Sequence, residues 1–215
     1  MNANLHIISL PQSIAQLQRC QAILSLDETE RMLRFATPKL QDYFALTRGH
    51  LRLTLGKLLN ADPEKLEFIY NEFGKPFLKN HSLQFNLAHS KDYCVIATSH
   101  TLVGVDIEYC ENTHKPHLDI AKRFFTQREF QAIETAQDPE LLFFHIWTQK
   151  EAFLKAIGKG ISFGLDQFEV ATCLDESYVK DIQDPEYSAL NWKSQSYDSI
   201  QGYRLTVTSL FEKPL

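Results

Sequence analysis

The chain has 215 residues, enough for one large domain or two small ones, and its 44% hydrophobic and 23% charged residues are ordinary for a globular protein. A formal net charge of −5 excludes bulk attraction to nucleic acid or an acidic membrane, so any anion site has to be a local basic cluster. Met1–Leu10 lacks the basic start and apolar stretch of a signal peptide, and no apolar run nears the roughly 18 residues that span a membrane. Cys20, Cys94, Cys110 and Cys173 show no CxxC spacing, so a cytoplasmic protein with reduced thiols is expected.

In chain order, residues 5–9 read as a short strand. Thr37 and Pro38 fit the N-cap and first position of a helix, and a three-to-four apolar spacing (Leu40, Tyr43, Phe44, Leu51, Leu55, Leu58) carries it to Asn60. Leu66 to Tyr70 reads as a strand, and Asn71 to Gly74 as a turn. Strands are expected over 83–87, 93–98 and 102–107, with His89 and Ser90 presented in a loop after the first of them. Helices follow near 117–124 and 127–136, and Asp138-Pro139 opens a long helix that stops around Gly158. The tail reads as strands, including 189–197 and 203–208. Each of two stretches, 1–101 and 102–215, thus holds a long helix and several strands, with no internal sequence repeat and no linker between them. This is the pattern of an α+β protein of two packed halves with a site at their junction.

Five groups of residues carry chemistry. In Gly104-Val105-Asp106-Ile107-Glu108, strand alternation puts both carboxylates on one face and Val105 and Ile107 on the other. Paired carboxylates repel unless a cation lies between them, and hard oxygen donors suit Mg²⁺; an acidic strand face in solvent fits the same residues. On a helix, Trp147, Glu151 and Lys155 form one stripe, so Glu151 can be a third metal carboxylate and Lys155 a phosphate contact, or the two a plain surface ion pair. His89 and Ser90 can donate to phosphate, although a histidine after a strand is commonly structural. Lys75 and Pro76 close a tight turn. Arg48 and Arg52, at i and i+4 on the first long helix, can grip one phosphate or simply face solvent. His114 and His117 have no supporting third ligand at metal-site spacing.

The order of these groups is more specific than any one of them. Gly-Lys-Pro, then Asn-x-x-His-Ser, then Gly-Val-Asp-Ile-Glu, then Trp-Thr-x-Lys-Glu-Ala-x-x-Lys resembles the motif series of Sfp-type 4'-phosphopantetheinyl transferases, from about Arg31 to Phe168. The resemblance implies two similar α/β halves related by a pseudo-twofold, with coenzyme A in the cleft between them. It implies Mg²⁺ on Asp106, Glu108 and Glu151, and Lys155 and Lys150 on the pyrophosphate. It also puts His89 on a phosphate, Lys75 and Pro76 beside the adenine, and Arg48 and Arg52 at the 3'-phosphate. Glu151 is the candidate base for a serine of an apo acyl, peptidyl or polyketide carrier protein. That carrier is expected to dock over 109–125, where Leu118, Ile120, Phe124 and Phe125 adjoin Lys115, Lys122 and Arg123. A monomer is expected, because one chain supplies both halves. A metal-dependent phosphodiesterase and a non-catalytic nucleotide-binding module are the alternatives. The first lacks a basic, aromatic-laced track for nucleic acid, and the second has no use for three carboxylates and a lysine converging on one point.

Overall fold

The computed structural model of the chain describes residues 3–110 and 117–211. Strand β1 (Asn4–Ser9) is followed by a 3₁₀ turn (Pro11–Gln16) and two short helices, α1 (Leu17–Ala22) and α2 (Leu26–Leu33). Helix α3 (Pro38–Leu59) starts where its cap residues require, with Leu40 N donating to Thr37 Oγ1, and stops at Asn60 in the left-handed region (φ 50°). The hairpin β2 (Phe68–Tyr70) and β3 (Pro76–Leu78) and strands β4 (Gln84–Ser90) and β5 (Tyr93–Ser99) complete the first half. Its sheet runs β1-β5-β4, all antiparallel. Leu46, Leu51 and Leu55 of α3 pack with Leu10, Phe85 and Ile96.

The second half opens with β6 (Val103–Tyr109), followed by α4 (His117–Phe124), α5 (Gln127–Glu134) and the long α6 (Pro139–Ile157). A small ladder of β7 (Glu169–Val170) and β8 (Val179–Lys180), a short α7 (Pro185–Ser188), β9 (Trp192–Tyr197) and β10 (Tyr203–Leu210) follow. The sheet order is β6-β10-β9, again antiparallel. Helix α6 packs Phe143, Ile146, Phe153 and Leu154 into a core with Phe168 and Val170. The expected α+β architecture of two halves is present. Each sheet has its first strand at one edge, its last strand in the middle, its second-to-last at the other edge, and the long helix between first and second-to-last. That likeness of connection has no counterpart as a sequence repeat.

The halves meet along β4 and β6. Ala88, Val95 and Ala97 pack against Val103, Val105, Ile107, Leu205 and Val207. In place of a backbone ladder, side chains tie the strands: Val105 N donates to Asn86 Oδ1 (2.9 Å), and Tyr109 N to Ser90 Oγ (3.1 Å). Two local expectations change. Strand β4 runs through Ser90, so His89 and Ser90 are its last residues rather than a loop, and the tail strand begins only at Trp192, after α7. Among the described residues, no helix is long and apolar enough to cross a membrane.

Candidate active site

The carboxylates of β6 and α6 come together because the two elements cross at Gly104. A Cβ there would stand 2.0 Å from Ala152 O and 2.4 Å from Ala156 N, so only glycine lets the helix lie this close to the strand. Asp106, two residues on, faces the helix, directly opposite Thr206 of β10. Thr206 Oγ1 is hydrogen-bonded to Thr148 Oγ1 (3.0 Å), three residues before Glu151, and to Ser196 Oγ (2.9 Å). This buried hydroxyl chain fixes α6 against the sheet. Trp147, Glu151 and Lys155 form the partly open stripe of an otherwise buried helix stretch.

At the crossing, Lys155 Nζ donates to Asp106 Oδ1 at 2.5 Å. Asp106 Oδ2 and Glu151 Oε1 are buried and have no hydrogen-bond partner among the described residues. Burial pushes the Glu151 carboxyl up to about 7; nearby Asp106 and Glu108 add to the rise, and Lys155 opposes it. Burial works against a charged Lys155, but Asp106, then Glu151 and Glu108, hold its pKa above the usual lysine value. Glu108 Oε2 accepts from Ser90 Oγ (3.1 Å), so the first half orients a carboxylate of the second.

These residues suit a hard divalent cation in donor type, and the two orphaned buried oxygens call for a positive partner. Among the described residues, no three acidic, histidine or cysteine side chains are gathered closely enough to form a coordination cluster; the Lys155 ammonium is the cation lying on Asp106. Beside the crossing lies a depression of about 240 Å³, whose lining includes Phe73, Gly74, Lys75 and Pro76 from the first half and Leu154, Lys155 and Gly160 from the second.

Two family models divide nearly the whole chain between them. Residues 11–101 match the N-terminal model of 4'-phosphopantetheinyl transferases, and residues 102–208 match the 4'-phosphopantetheinyl transferase superfamily. The chain belongs to that superfamily. It is 39% identical over 171 residues to the 4'-phosphopantetheinyl transferase HetI of a Nostoc species, covering 76% of this chain and 71% of HetI. It is 28% identical over 199 residues to Sfp of Bacillus subtilis, covering 86% of each. The transferase gsp of Aneurinibacillus migulanus is 31% identical over 200 residues, covering 87% of this chain and 77% of gsp.

In this transferase the residues expected at the donor separate into two groups. Asp106, Glu108, Glu151 and Lys155 surround the crossing, Pro76 lines the depression, and His89 is exposed at the end of β4. Arg48, Arg52 and Lys150 point inward instead, which corrects the expectation for them, whereas Lys75 lines the depression beside Pro76 with its ammonium turned inward. Arg48 and Arg52 both close on Glu28 of α2, at 2.5 Å and 2.6 Å, and Arg52, only 1% exposed, also donates to Pro63 O and Leu66 O. Lys150 is fully buried, paired with Glu129 at 2.9 Å and donating to Leu165 O and Phe168 O, so all three of its protons are spent on the interior. Lys75 is 7% exposed and its ammonium meets Val103 O and Ala156 O; burial pulls its pKa down to about 8. Phosphate contacts from Arg48, Arg52 and Lys150 are therefore set aside.

Of the segment expected to meet a carrier, Leu118 and Phe124 of α4 are exposed, whereas Phe125 is in the core. Lys115 and His114 lie outside the described residues, and His117 is buried, stacked on Phe143 (4.6 Å). The sequence did not single out the tying role of Asn86 or the crossing at Gly104. The legible signal for the second is glycine two residues before a strand carboxylate, where a packed strand otherwise favours a side chain.

Proposed function

We propose that the chain transfers the 4'-phosphopantetheine arm of coenzyme A to a serine hydroxyl of an apo acyl, peptidyl or polyketide carrier protein, with Mg²⁺ held by Asp106, Glu108 and Glu151. The observation that carries this reading is the pair of buried, unpartnered carboxylate oxygens of Asp106 and Glu151, set beside Lys155 at the edge of a cleft between the halves. Most buried polar atoms are hydrogen-bonded, and two unpartnered carboxylate oxygens around one lysine at a cleft favour a cation-dependent phosphoryl transfer. When bound, Mg²⁺ offsets the negative charge of the reacting phosphoryl group.

The chain's own groups do the rest. The serine oxygen attacks the phosphorus that bears the pantetheine arm; the bond from that phosphorus to the bridging oxygen breaks, and adenosine 3',5'-bisphosphate leaves with the electron pair. Glu151 takes the serine proton, and a carboxyl raised to about 7 is matched to that task near neutral pH. Lys155 lies where it stabilises charge on the departing phosphate. Pro76 and the depression receive the adenine end of the donor, and the exposed His89 faces a donor phosphate. The carrier docks over α4, where Leu118 and Phe124, 46% and 41% exposed, stand with Lys122 and Arg123. An apolar patch edged with cations suits an acidic carrier surface. One chain contributes both walls of the cleft, which supports action as a monomer.

The test is an incubation with coenzyme A, Mg²⁺ and apo carrier proteins of the acyl, peptidyl and polyketide types. A mass gain of one phosphopantetheine arm is expected, abolished by EDTA. No gain on any of the three carriers overturns the reading, and a full gain in EDTA overturns its metal dependence.

A further inference from the structure

The turn between β2 and β3 is built as a lock between the halves. Asn71 Oδ1 accepts from Phe73 N (3.1 Å) and Lys75 N (2.8 Å), which fixes the turn, while Asn71 Nδ2 donates to Gly158 O (2.8 Å) at the C-cap of α6. Lys75 Nζ reaches further in, to Ala156 O in the last turn of α6 (2.7 Å) and to Val103 O at the first residue of β6 (3.3 Å). The carbonyls of a helix's last turn have no intrahelical partner and carry the negative end of its dipole, so a buried ammonium satisfies them in both respects. Gly158 makes room for this: at φ +73° it caps the helix, and a Cβ there would stand 2.9 Å from Lys75 Cδ and 3.1 Å from Asn71 Nδ2.

One cation therefore bridges the end of the helix that carries Glu151 and Lys155 to the start of the strand that carries Asp106 and Glu108. The same turn, through Phe73, Gly74, Lys75 itself and Pro76, lines the depression beside Lys155. We propose that Lys75 is a positioning residue, an internal cation through which the turn at the donor cleft sets the register of α6 on β6. It touches no reacting atom. Its effect reaches the reaction through the spacing of Asp106, Glu151 and Lys155. The proposal rests on the phosphopantetheine-transfer reading of that site.

The experiment compares wild type with Lys75→Met and, as a milder break of the same lock, Asn71→Ala, each shown to be folded by circular dichroism. Three quantities are read: kcat with coenzyme A, the ratio of kcat/KM for coenzyme A over dephospho-coenzyme A, and the affinity of the enzyme for Mn²⁺ from the loss of the free-ion paramagnetic signal. A displacement of about 1 Å at a reacting centre costs up to about a hundredfold in rate, so kcat is expected to fall roughly tenfold or more in Lys75→Met and less in Asn71→Ala. The donor ratio is expected to stay within about twofold of wild type, and Mn²⁺ affinity to weaken in the same order as kcat. A collapse of the donor ratio toward one would show instead that Lys75 contacts the 3'-phosphate. Unchanged kcat and Mn²⁺ affinity in folded Lys75→Met, or an unfolded Lys75→Met beside an unaffected Asn71→Ala, would overturn the positioning role. Absence of transfer by the wild type would instead count against the reaction itself.

Discussion

Two of the buried acid–base clusters, one in each half, differ in one respect. In the first half, Glu28 gives one oxygen to Arg48 and the other to Arg52, and Ser25 N also donates to it. Burial alone would raise its pKa, but Arg48 and Arg52 more than reverse that, and the carboxyl is held below its ordinary value. In the second half, Asp106 shares one oxygen with Lys155, while its other oxygen and Glu151 Oε1 have no partner among the described residues, and burial pushes the Glu151 carboxyl up to about 7. A satisfied cluster ties α2 to α3. The cluster at Asp106 and Glu151 is left unsatisfied among the described residues.

Substitution should separate the two most sharply. Asp106→Ala and Glu151→Ala are expected to cut turnover by about a hundredfold or more with the fold kept, because a charge-stabilising contribution of several kcal/mol is lost and each 1.4 kcal/mol is about tenfold in rate. Glu28→Ala should do the reverse. It leaves two buried guanidinium groups without their carboxylate, at a cost of about 3–5 kcal/mol of stability, read by denaturant titration, with turnover per folded molecule retained. Turnover kept in both active-site variants, or stability kept in Glu28→Ala, would erase the distinction.

Gly104→Ala tests the crossing that creates the second cluster. Because Ala152 O and Ala156 N are backbone atoms, the clash cannot be relieved by a side-chain rotation. Loss of both stability and turnover is expected, and a fully active Gly104→Ala would show that the strand and helix do not need this approach.

The clusters should also respond oppositely to pH. Glu151 is raised, so between its ordinary 4.5 and about 7 the native state holds a proton that the unfolded state has released. Its stabilising contribution is complete below 4.5 and is lost as pH rises through about 7. Glu28 is lowered, so its contribution is present above its ordinary 4.5 and is lost as pH falls through the lower native value. Melting temperatures of wild type against Glu151→Gln and Glu28→Gln across the acid-to-neutral range should show the two differences moving in opposite directions. At low Mg²⁺, turnover should rise with pH through about 7 as the Glu151 carboxyl ionises.

The smallest effect concerns the carrier surface. Reversing charge at Lys122 and Arg123 is expected to raise KM for the carrier severalfold and flatten its salt dependence, with KM for coenzyme A unchanged. Equal KM values for the carrier in variant and wild type would place docking elsewhere on the rim.

What could be read from sequence follows from range. Thr37-Pro38 and Asp138-Pro139 set the starts of α3 and α6, and Asn60 and Gly158 their ends, because caps are local. The carboxylate spacing on β6 and α6 was legible for the same reason. The stretch between β1 and α3 was not. Its helices have only six and eight residues, and Leu26 and Leu33 of α2 are exposed, so the apolar spacing gives no core face. Arg48 and Arg52 do share a face, but their partner Glu28 lies twenty or more residues upstream, which helix spacing cannot reveal. Lys150 adjoins Glu151 in sequence, yet one residue of helix rotation turns it from the cleft onto Glu129. Basic residues near a motif were visible; whether each faced the cleft or the core depended on partners brought in by tertiary packing.

The most direct measurement is a Mn²⁺ titration, followed by the loss of the free-ion signal, of wild type, Asp106→Asn, Glu151→Gln and Glu28→Gln with coenzyme A present. One ion per chain is expected for wild type and for whatever fraction of Glu28→Gln is folded, with binding weakened by an order of magnitude or more in Asp106→Asn and Glu151→Gln. Equal Mn²⁺ binding by all four proteins would mean that the unpartnered oxygens of Asp106 and Glu151 do not make the metal site, and would contradict the account.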